Sequence, residues 1–223
     1  MTLRVTILQL DTHFPRVPGD VASAHTYQDE VEIIRIPCAT VNKVVRDRPD
    51  LIDITAFETA IDAAQGEIIV TSCGFLSYWQ QHLQQRTDKI FLSSALIAFE
   101  YLSKKFTPEE VLTLTFDETS LTAQHFNQFP SYANQIIGLP KHMHLRQVIA
   151  EDRNELDVNT VAQELTDFIS TKQRPSHKHL LLECTNLPPY KTHLHRRTGL
   201  GITDILTCIE AARPNTICSQ FLT

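Results

Sequence analysis

Two cysteines in this 223-residue chain each stand just beyond a hydrophobic run, about half a chain length apart. Cys73 follows Ile-Ile-Val-Thr at 68–71, and Cys184 follows Leu-Leu-Leu at 180–182. If the chain has two related halves, each half presents one thiol to a shared cleft. A thiol and a thiolate on opposite faces of one carbon can invert a stereocentre by proton transfer.

The elements that lead to the two cysteines follow one pattern. Apolar residues at steps of three and four predict helices over 51–65 and 158–169. Each helix leads into a strand that ends near a cysteine, at 67–71 and at 179–183. Other strand-like runs lie at 5–10, 90–92, 111–115 and 135–137. Short apolar strands that alternate with helices are typical of an α/β protein with parallel sheets.

The position of the cysteines suggests a binding site. Ligands of open parallel sheets bind beyond the carboxyl ends of the strands, where Cys73 and Cys184 both lie. A thiol at a helix N-terminus has a pKa below its free value of about 8.5, so we expect one of these thiols to be partly ionised near neutral pH. The alternative is that both are ordinary buried cysteines.

Composition narrows the classes of partner. The net charge of −6 argues against a phosphate-binding surface, so we expect no nucleic-acid partner. No run approaches the roughly 18 apolar residues of a membrane-spanning helix, and the N-terminal run is too short and polar for a signal peptide. We therefore expect a cytoplasmic protein with no membrane partner. A homodimer is the base-rate expectation for its assembly.

Sequence motifs for metals and cofactors are absent. Five cysteines without a CxxC pair fit neither a disulfide framework nor a zinc ribbon, so we expect reduced thiols. The histidine pairs 142/144, 177/179 and 193/195 have no accompanying acidic or cysteine ligands, and we predict no metal site. The chain has six glycines and no GxGxxG, P-loop or GxSxG motif. We expect no cofactor.

Three segments around these positions resemble conserved blocks of the aspartate/glutamate racemase superfamily. They are LQLDTHFPRVPGD at 8–20, TSCGFL at 71–76 and LECTNLPPY at 182–190. The resemblance implies two similar open parallel-sheet, Rossmann-like α/β domains related by pseudo-twofold symmetry, with the active site in the cleft between them. It also implies a cofactor-independent racemase or epimerase that acts on a small carboxylate, with acidic amino acids as the expected substrates.

The expected domains divide the chain unevenly. Residues 1–95 and 199–223 are assigned to the first domain, which carries Cys73, and residues 96–198 to the second, which carries Cys184.

The resemblance also implies roles for single residues. Cys73 and Cys184 become the thiols that remove and return the Cα proton, and Asp11 matches an acid beside the substrate's amino group. Ser93 and Ser94 match hydroxyls that hold the substrate carboxylate, although helix N-capping is their alternative role. The other expected substrate-binding residues are Thr12, Arg16, Ser72, Gly74, Phe75, Thr115, Thr185 and Asn186.

Arg16 is a candidate on chemical grounds as well. A guanidinium holds a carboxylate through two parallel hydrogen bonds, so Arg16 in the FPR loop is a candidate partner for an anionic substrate. The alternative is a solvated loop arginine.

The chain departs from the racemases at two places, which leaves the substrate open. Gly74-Phe75 stands where those enzymes usually carry Asn-Thr, and Asn186 stands where they carry a titratable His or Glu. Three alternatives on the same fold therefore stay open: a hydantoin racemase, a maleate isomerase, or a malonate decarboxylase type. A non-catalytic ligand-binding relative is a further alternative.

Overall fold

The structure is a computed structural model that describes residues 4–222. Residues 1–3, which begin the N-terminal run discussed above, and residue 223 lie outside the described residues. Strands lie at Val5–Gln9 (β1), Glu32–Arg35 (β2), Ile68–Thr71 (β3), Ile90–Leu92 (β4), Val111–Thr115 (β5), Ile136–Gly138 (β6), His179–Leu182 (β7) and Gly201–Thr203 (β8). α-Helices lie at Val41–Val44 (α1), Thr55–Ala63 (α2), Gln80–Gln84 (α3), Phe99–Leu102 (α4), His144–Glu151 (α5), Val158–Lys172 (α6), Lys191–Thr198 (α7) and Ile205–Ala212 (α8).

Short 3₁₀ helices connect many of these elements. They lie at Ala24–Thr26, Pro49–Leu51, Gly74–Trp79, Ala95–Ala98, Pro108–Glu110, Ala123–Phe126, Pro130–Gln135, Pro188–Tyr190 and Ser219–Phe221. Within residues 4–222, none of the helices has the length and apolar character that crossing a membrane requires.

The strands form two four-stranded parallel sheets with the same order. The first sheet runs β2-β1-β3-β4 and the second β6-β5-β7-β8. In the first, Val5 pairs with Ile68; in the second, Val111 pairs with His179. The prediction of an α/β fold with two similar open parallel sheets is confirmed. Since β3 and β7 hold the same place in their sheets, the two cysteines that follow them occupy equivalent positions.

The central strands are apolar because helices and loops cover both of their faces. Every residue of β1, β3, β5 and β7 is buried, and strands buried on both faces read as continuous hydrophobic runs. Helix α2 buries Phe57 and Ile61 against the first sheet, and α6 buries Leu165 in the second core. Full burial of each such side chain stabilises the fold by about 1.5–3 kcal/mol.

The helix before β3 is shorter than predicted. The predicted helix over 51–65 is a 3₁₀ turn that ends at Leu51, followed by α2. Its expected stop, Gly66, lies beyond the end of α2 at Ala63. A Cβ at Gly66 would lie 2.5 Å from the Thr6 nitrogen, so the glycine allows a close backbone approach to β1.

Two segments lie in a different sheet or core from the one expected. Strand β8 falls in the range 199–223 assigned to the first domain, yet it pairs with β7 in the second sheet. Phe99 and Leu102 fall in the range assigned to the second domain, yet they pack in the first core. The chain therefore crosses between the two sheets after Leu102 and again after Thr203. The rest of the domain division stays a prediction.

A buried ion pair joins the last helices of the chain. Lys191 Nζ at the start of α7 lies 2.8 Å from Asp204 Oδ2, directly before α8, and both side chains are nearly inaccessible to solvent. Lys191 also donates hydrogen bonds to Thr207 Oγ1 and to the Phe221 carbonyl. Because α7 packs in the second core and α8 in the first, this pair links the two halves.

Candidate active site

Cys73 and Cys184 line a single pocket between the two sheets, although they lie far apart in sequence. Each follows a central strand and precedes a 3₁₀ helix, at Gly74–Trp79 and Pro188–Tyr190. The pocket is a narrow cavity of about 30 Å³, room for about one or two water molecules, so a larger ligand requires its walls to move apart.

The pocket wall is mostly apolar with a few polar groups. The apolar lining residues are Leu10, Phe14, Val41, Val45, Phe75, Phe116 and Ile149. The others are Thr12, Arg16, Ser72, Cys73, Gly74, Glu183, Cys184, Thr185 and Asn186. An apolar wall with few convergent polar groups is the usual composition of a ligand site.

Most of the residues expected from the sequence come together here, but their roles stay predictions. Cys73, Cys184, Thr12, Arg16, Ser72, Gly74, Phe75, Thr185 and Asn186 all line the pocket. Asp11, Ser93, Ser94 and Thr115 do not.

The residues outside the lining have other partners. Ser94 Oγ accepts a hydrogen bond from the Leu96 N–H and caps the 3₁₀ helix that follows, which is the alternative role expected for it. Ser93 Oγ donates to Gln80 Oε1 over 2.7 Å. Asp11 Oδ2 accepts a hydrogen bond from the backbone N–H of an exposed loop. These three side chains would have to reorient to reach a ligand in the pocket.

Side chains after Cys184 tie the two halves together at the pocket. Thr185 Oγ1 donates a 2.7 Å hydrogen bond to the Ser72 carbonyl, and Asn186 Nδ2 donates a 2.6 Å hydrogen bond to Asp20 Oδ2. The Asn186 amide oxygen accepts a weak hydrogen bond from the Cys184 thiol, with the two atoms 3.6 Å apart. Asn186 therefore orients the thiol beside it while its other end is fixed by a carboxylate.

Arg16 lies in the pocket wall with most of its hydrogen-bonding capacity already fixed. Its guanidinium donates to Thr12 Oγ1 over 3.0 Å and to the Asp20 carboxylate over 3.3 Å, and it lies 4.1 Å above the Phe14 ring. The side chain is 10% exposed, which excludes the solvated loop arginine. Its Nε is buried without a hydrogen-bond partner.

The protonation of the thiols differs from the expectation. Burial, and to a smaller extent the charge of Glu183, raise the pKa of Cys73 to about 12. Burial and Glu183 likewise raise the pKa of Cys184. The prediction of a lowered thiol pKa is wrong because desolvation outweighs the backbone N–H groups of the short turns that follow. Both thiols are protonated in the resting site at neutral pH.

Glu183 is the pocket residue that sequence reasoning missed. Its side chain is fully buried, and Oε2 accepts a 2.6 Å hydrogen bond from Thr115 Oγ1. Oε1 has no hydrogen-bond partner. Burial raises the pKa of Glu183 to about 7, against the opposing effect of the Thr115 hydroxyl. The available signal was a charged residue at the end of the apolar run Leu180–Leu182.

Across residues 4–222, no group of three or more histidine, cysteine, aspartate or glutamate side chains is arranged to hold a metal ion. The charged or titratable groups of the pocket lining are two thiols, one guanidinium and one carboxyl.

Comparison with known proteins gives two different kinds of likeness. No protein-family model matches the chain. It is 27% identical over 227 residues to dimethylsulfoniopropionate lyase 5 of Emiliania huxleyi, covering 94% of this chain and 44% of that protein. It is 23% identical over 218 residues to a dimethylsulfoniopropionate lyase of Durusdinium sp. clade D, covering 92% and 72%. The chain thus spans less than half the length of the Emiliania relative.

Solved structures share its fold. The allantoin racemase of Klebsiella pneumoniae superposes with a TM-score of 0.58 at 11% identity, covering 99% of this chain and 93% of that one. A glutamate racemase of Francisella tularensis, solved with D-glutamate, superposes with a TM-score of 0.52 at 11% identity, covering 95% and 79%. The resemblance to the racemase superfamily is confirmed at the level of the fold. The two relatives that are similar in sequence are both named as lyases.

Proposed function

We propose that this chain is a cysteine-dependent lyase that acts on dimethylsulfoniopropionate or a closely similar sulfonium carboxylate. The observation that carries the proposal is the pair of buried thiols, one from each sheet, in a small apolar pocket that also holds a guanidinium. Such a site suits removal of a proton next to a carboxylate. The sequence relatives point to the bond that breaks next.

The proposed reaction needs one base and a good leaving group. A thiolate takes the Cα proton, the electron pair of that C–H bond becomes the Cα=Cβ double bond, and the Cβ–S bond breaks. Dimethyl sulfide leaves as a neutral molecule, and acrylate remains. The carbon is not reprotonated, so the site needs no second acid. Asn186, which does not titrate, is compatible with this reaction at the position where racemases carry His or Glu.

The charges of the pocket suit a zwitterion. Arg16 supplies a positive group whose buried Nε has no hydrogen-bond partner in the structure. Glu183 adds negative potential to the wall when it is ionised, and Phe75 adds an aromatic residue to the same lining. The substrate's two opposite charges match these groups.

Racemisation of an amino acid or a derivative is the second candidate. It is favoured by the placement of one thiol from each of two equivalent sheets, which is what a two-base mechanism requires. In that reaction the second thiol returns a proton to the opposite face of Cα, and no bond to a β-substituent breaks.

Proton NMR in D₂O distinguishes the two reactions. The protein is mixed separately with dimethylsulfoniopropionate, L-Asp, L-Glu and a hydantoin, and both the vinyl signals of acrylate and the loss of Cα–H signals are followed. We expect acrylate from the wild type, with a fall of about 100-fold or more when the thiol base is replaced by serine. Cys73→Ser and Cys184→Ser identify that base.

Cys208→Ser is the matched control, because Cys208 is also buried but lies in the first core outside the pocket. It should retain the wild-type rate. Exchange of Cα–H on an amino acid without vinyl signals would replace the lyase proposal with the racemase one. Neither signal on any compound would overturn both.

A further inference from the structure

We propose that Glu183 is the proton acceptor for the pocket thiols, so that Cys73, Glu183 and Cys184 share one negative charge. This inference rests on the proposed function only in requiring a thiolate to act as the base. It adds a third group to the two-thiol site expected from the resemblance.

The geometry of the Glu183 carboxyl leaves one oxygen available for this role. Oε2 is held by the Thr115 hydroxyl at 2.6 Å, which fixes the orientation of the group. Oε1 is buried and accepts no hydrogen bond. A buried acceptor without a donor costs about 1–3 kcal/mol, so such an oxygen is uncommon unless it has a functional partner. Glu183 directly precedes Cys184, its Oε1 lies against Gly74, the residue after Cys73, and both thiols line the same pocket. The charge of Glu183 raises the pKa of both thiols.

The other charged groups that face the pocket do not compete for this role. Arg16, from the loop after β1, acts on Cys73 as a fixed positive charge. Asp20, from the same loop, is already held by Arg16 and Asn186. The pocket lining contains no lysine or histidine among the residues that the structure describes. Glu183 is thus the lining group that can exchange a proton near neutral pH.

The proton transfer is internally balanced. The thiol S–H bond breaks, an O–H bond forms on Glu183, and the negative charge moves from the carboxylate to sulfur. The thiolate then takes the Cα proton of the substrate and becomes a thiol again. The carboxyl of Glu183 returns its proton to water, which accounts for the one proton that each elimination releases. No oxidant, metal or further reactant is required.

The pH dependence of thiol alkylation tests the inference without any substrate. The rate of iodoacetamide addition to Cys73 and Cys184, followed by peptide mass spectrometry, is the product of the thiolate fraction of each and the fraction of molecules whose pocket admits the reagent, and only the thiolate fraction should change near pH 7. In the wild type, this rate should rise tenfold per pH unit up to about pH 7 and then flatten. The break falls there because the pKa of Glu183 is about 7 and, once ionised, Glu183 holds the shared charge.

Substitution of Glu183 should remove the break. In Glu183→Gln the alkylation rate should rise tenfold per pH unit through pH 7, because no carboxylate competes with the thiols for the charge. Glu183→Asp keeps a carboxyl and should restore a break. The exposed Cys38 should be alkylated at the same rate in every variant, which makes it an internal reference.

Thr115→Val provides a test that leaves Glu183 in place. The Thr115 hydroxyl lowers the pKa of Glu183, so its loss should move the break to higher pH. A break that persists in Glu183→Gln, or that is absent from the wild type, overturns the inference. If the break is present but no acrylate forms, the lyase proposal fails and the role of Glu183 stands. If acrylate forms but the break is absent, the role of Glu183 fails and the lyase proposal stands.

Discussion

At the scale of single residues, Gly74 and Glu183 constrain each other. A Cβ at Gly74 would overlap Glu183 Oε1 and would lie 2.8 Å from the Glu183 carbonyl oxygen. Since the second of these atoms belongs to the backbone, it cannot move aside at low cost. Glycine directly after Cys73 is therefore a packing requirement of the carboxyl that lies behind the thiols.

Gly74→Ala should destabilise the protein by about 1–3 kcal/mol, the usual cost of overpacking a filled interior. Urea unfolding measures the change. Glu183→Ala removes the overlapping carboxyl oxygen but not the carbonyl, so the alanine at position 74 should cost less in that background. Gly201→Ala is the control, because its nearest contact is the His179 side chain at 3.1 Å; its cost should stay below about 1 kcal/mol.

The sequence predicted which thiols meet but not their environment. Cys73 and Cys184 were identified from their positions after apolar runs, and both line the pocket. The direction of their pKa shift was wrong because sequence does not show how completely loops from the other half enclose each thiol. Glu183 was overlooked for the same reason. Its carboxyl lies against Gly74, which is more than 100 residues away in the sequence, so the sequence alone does not show this contact.

At the scale of elements, the Lys191–Asp204 pair holds α7 against α8. Lys191→Met should destabilise the protein by about 3–5 kcal/mol, because it leaves the Asp204 carboxylate buried without its partner. Unfolding in urea at pH 7 checks this. The double change Lys191→Met/Asp204→Asn should recover part of the loss, since asparagine can still cap α8 through the Thr207 N–H.

Lys178→Ala is the matched control for this prediction. Lys178 forms an ion pair with Glu110 at the surface, where its side chain is 62% exposed. Loss of that pair should cost less than about 1 kcal/mol. Equal losses in Lys191→Met and Lys178→Ala would contradict the view that burial makes the α7–α8 contact strong.

The strands that could be predicted are those with an apolar run. The runs for β1, β3, β5 and β7 were found within a residue of their ends, since continuous burial leaves a continuous apolar signal, and the short edge strands β4 and β6 were found from their apolar residues. Edge strand β2 was missed because its residues alternate between half-buried and exposed. Strand β8 was missed because Ile202 is its single apolar residue.

At the scale of the whole molecule, the pocket is closed by contacts between the two halves. Thr185→Val removes the hydrogen bond to the Ser72 carbonyl. If this makes the closed pocket less stable by about 1–2 kcal/mol, the population of opened molecules should rise by about 5- to 30-fold. Iodoacetamide should then label Cys73 and Cys184 faster by that factor.

Two references separate pocket opening from general loosening. Cys208 is buried in the first core, so its labelling reports unfolding of that core and should not change. Thr166→Val removes a hydroxyl that bonds only to the preceding turn of α6, and it should leave the pocket thiols at the wild-type rate. Equal acceleration at Cys208 would show that Thr185 stabilises the fold and has no particular effect on the cleft.

The overall arrangement of two similar sheets was predictable, whereas the points where the chain crosses between them were not. The two similar parallel sheets were expected from the resemblance to the racemase superfamily, and the structure gives both the same strand order. The assignment of Phe99 and β8 depends on which core or sheet edge is nearer in space, and both cores offer similar apolar surfaces.

The burial of the two thiols also bears on how long the protein survives its own proposed chemistry. Acrylate is an electron-poor alkene, and a thiolate adds to such alkenes far faster than a thiol does, because the thiolate is the nucleophile. A cysteine that stays almost wholly protonated is therefore protected from the product of the proposed reaction. On this view, the high thiol pKa that slows each deprotonation is also what prevents self-inactivation over many turnovers.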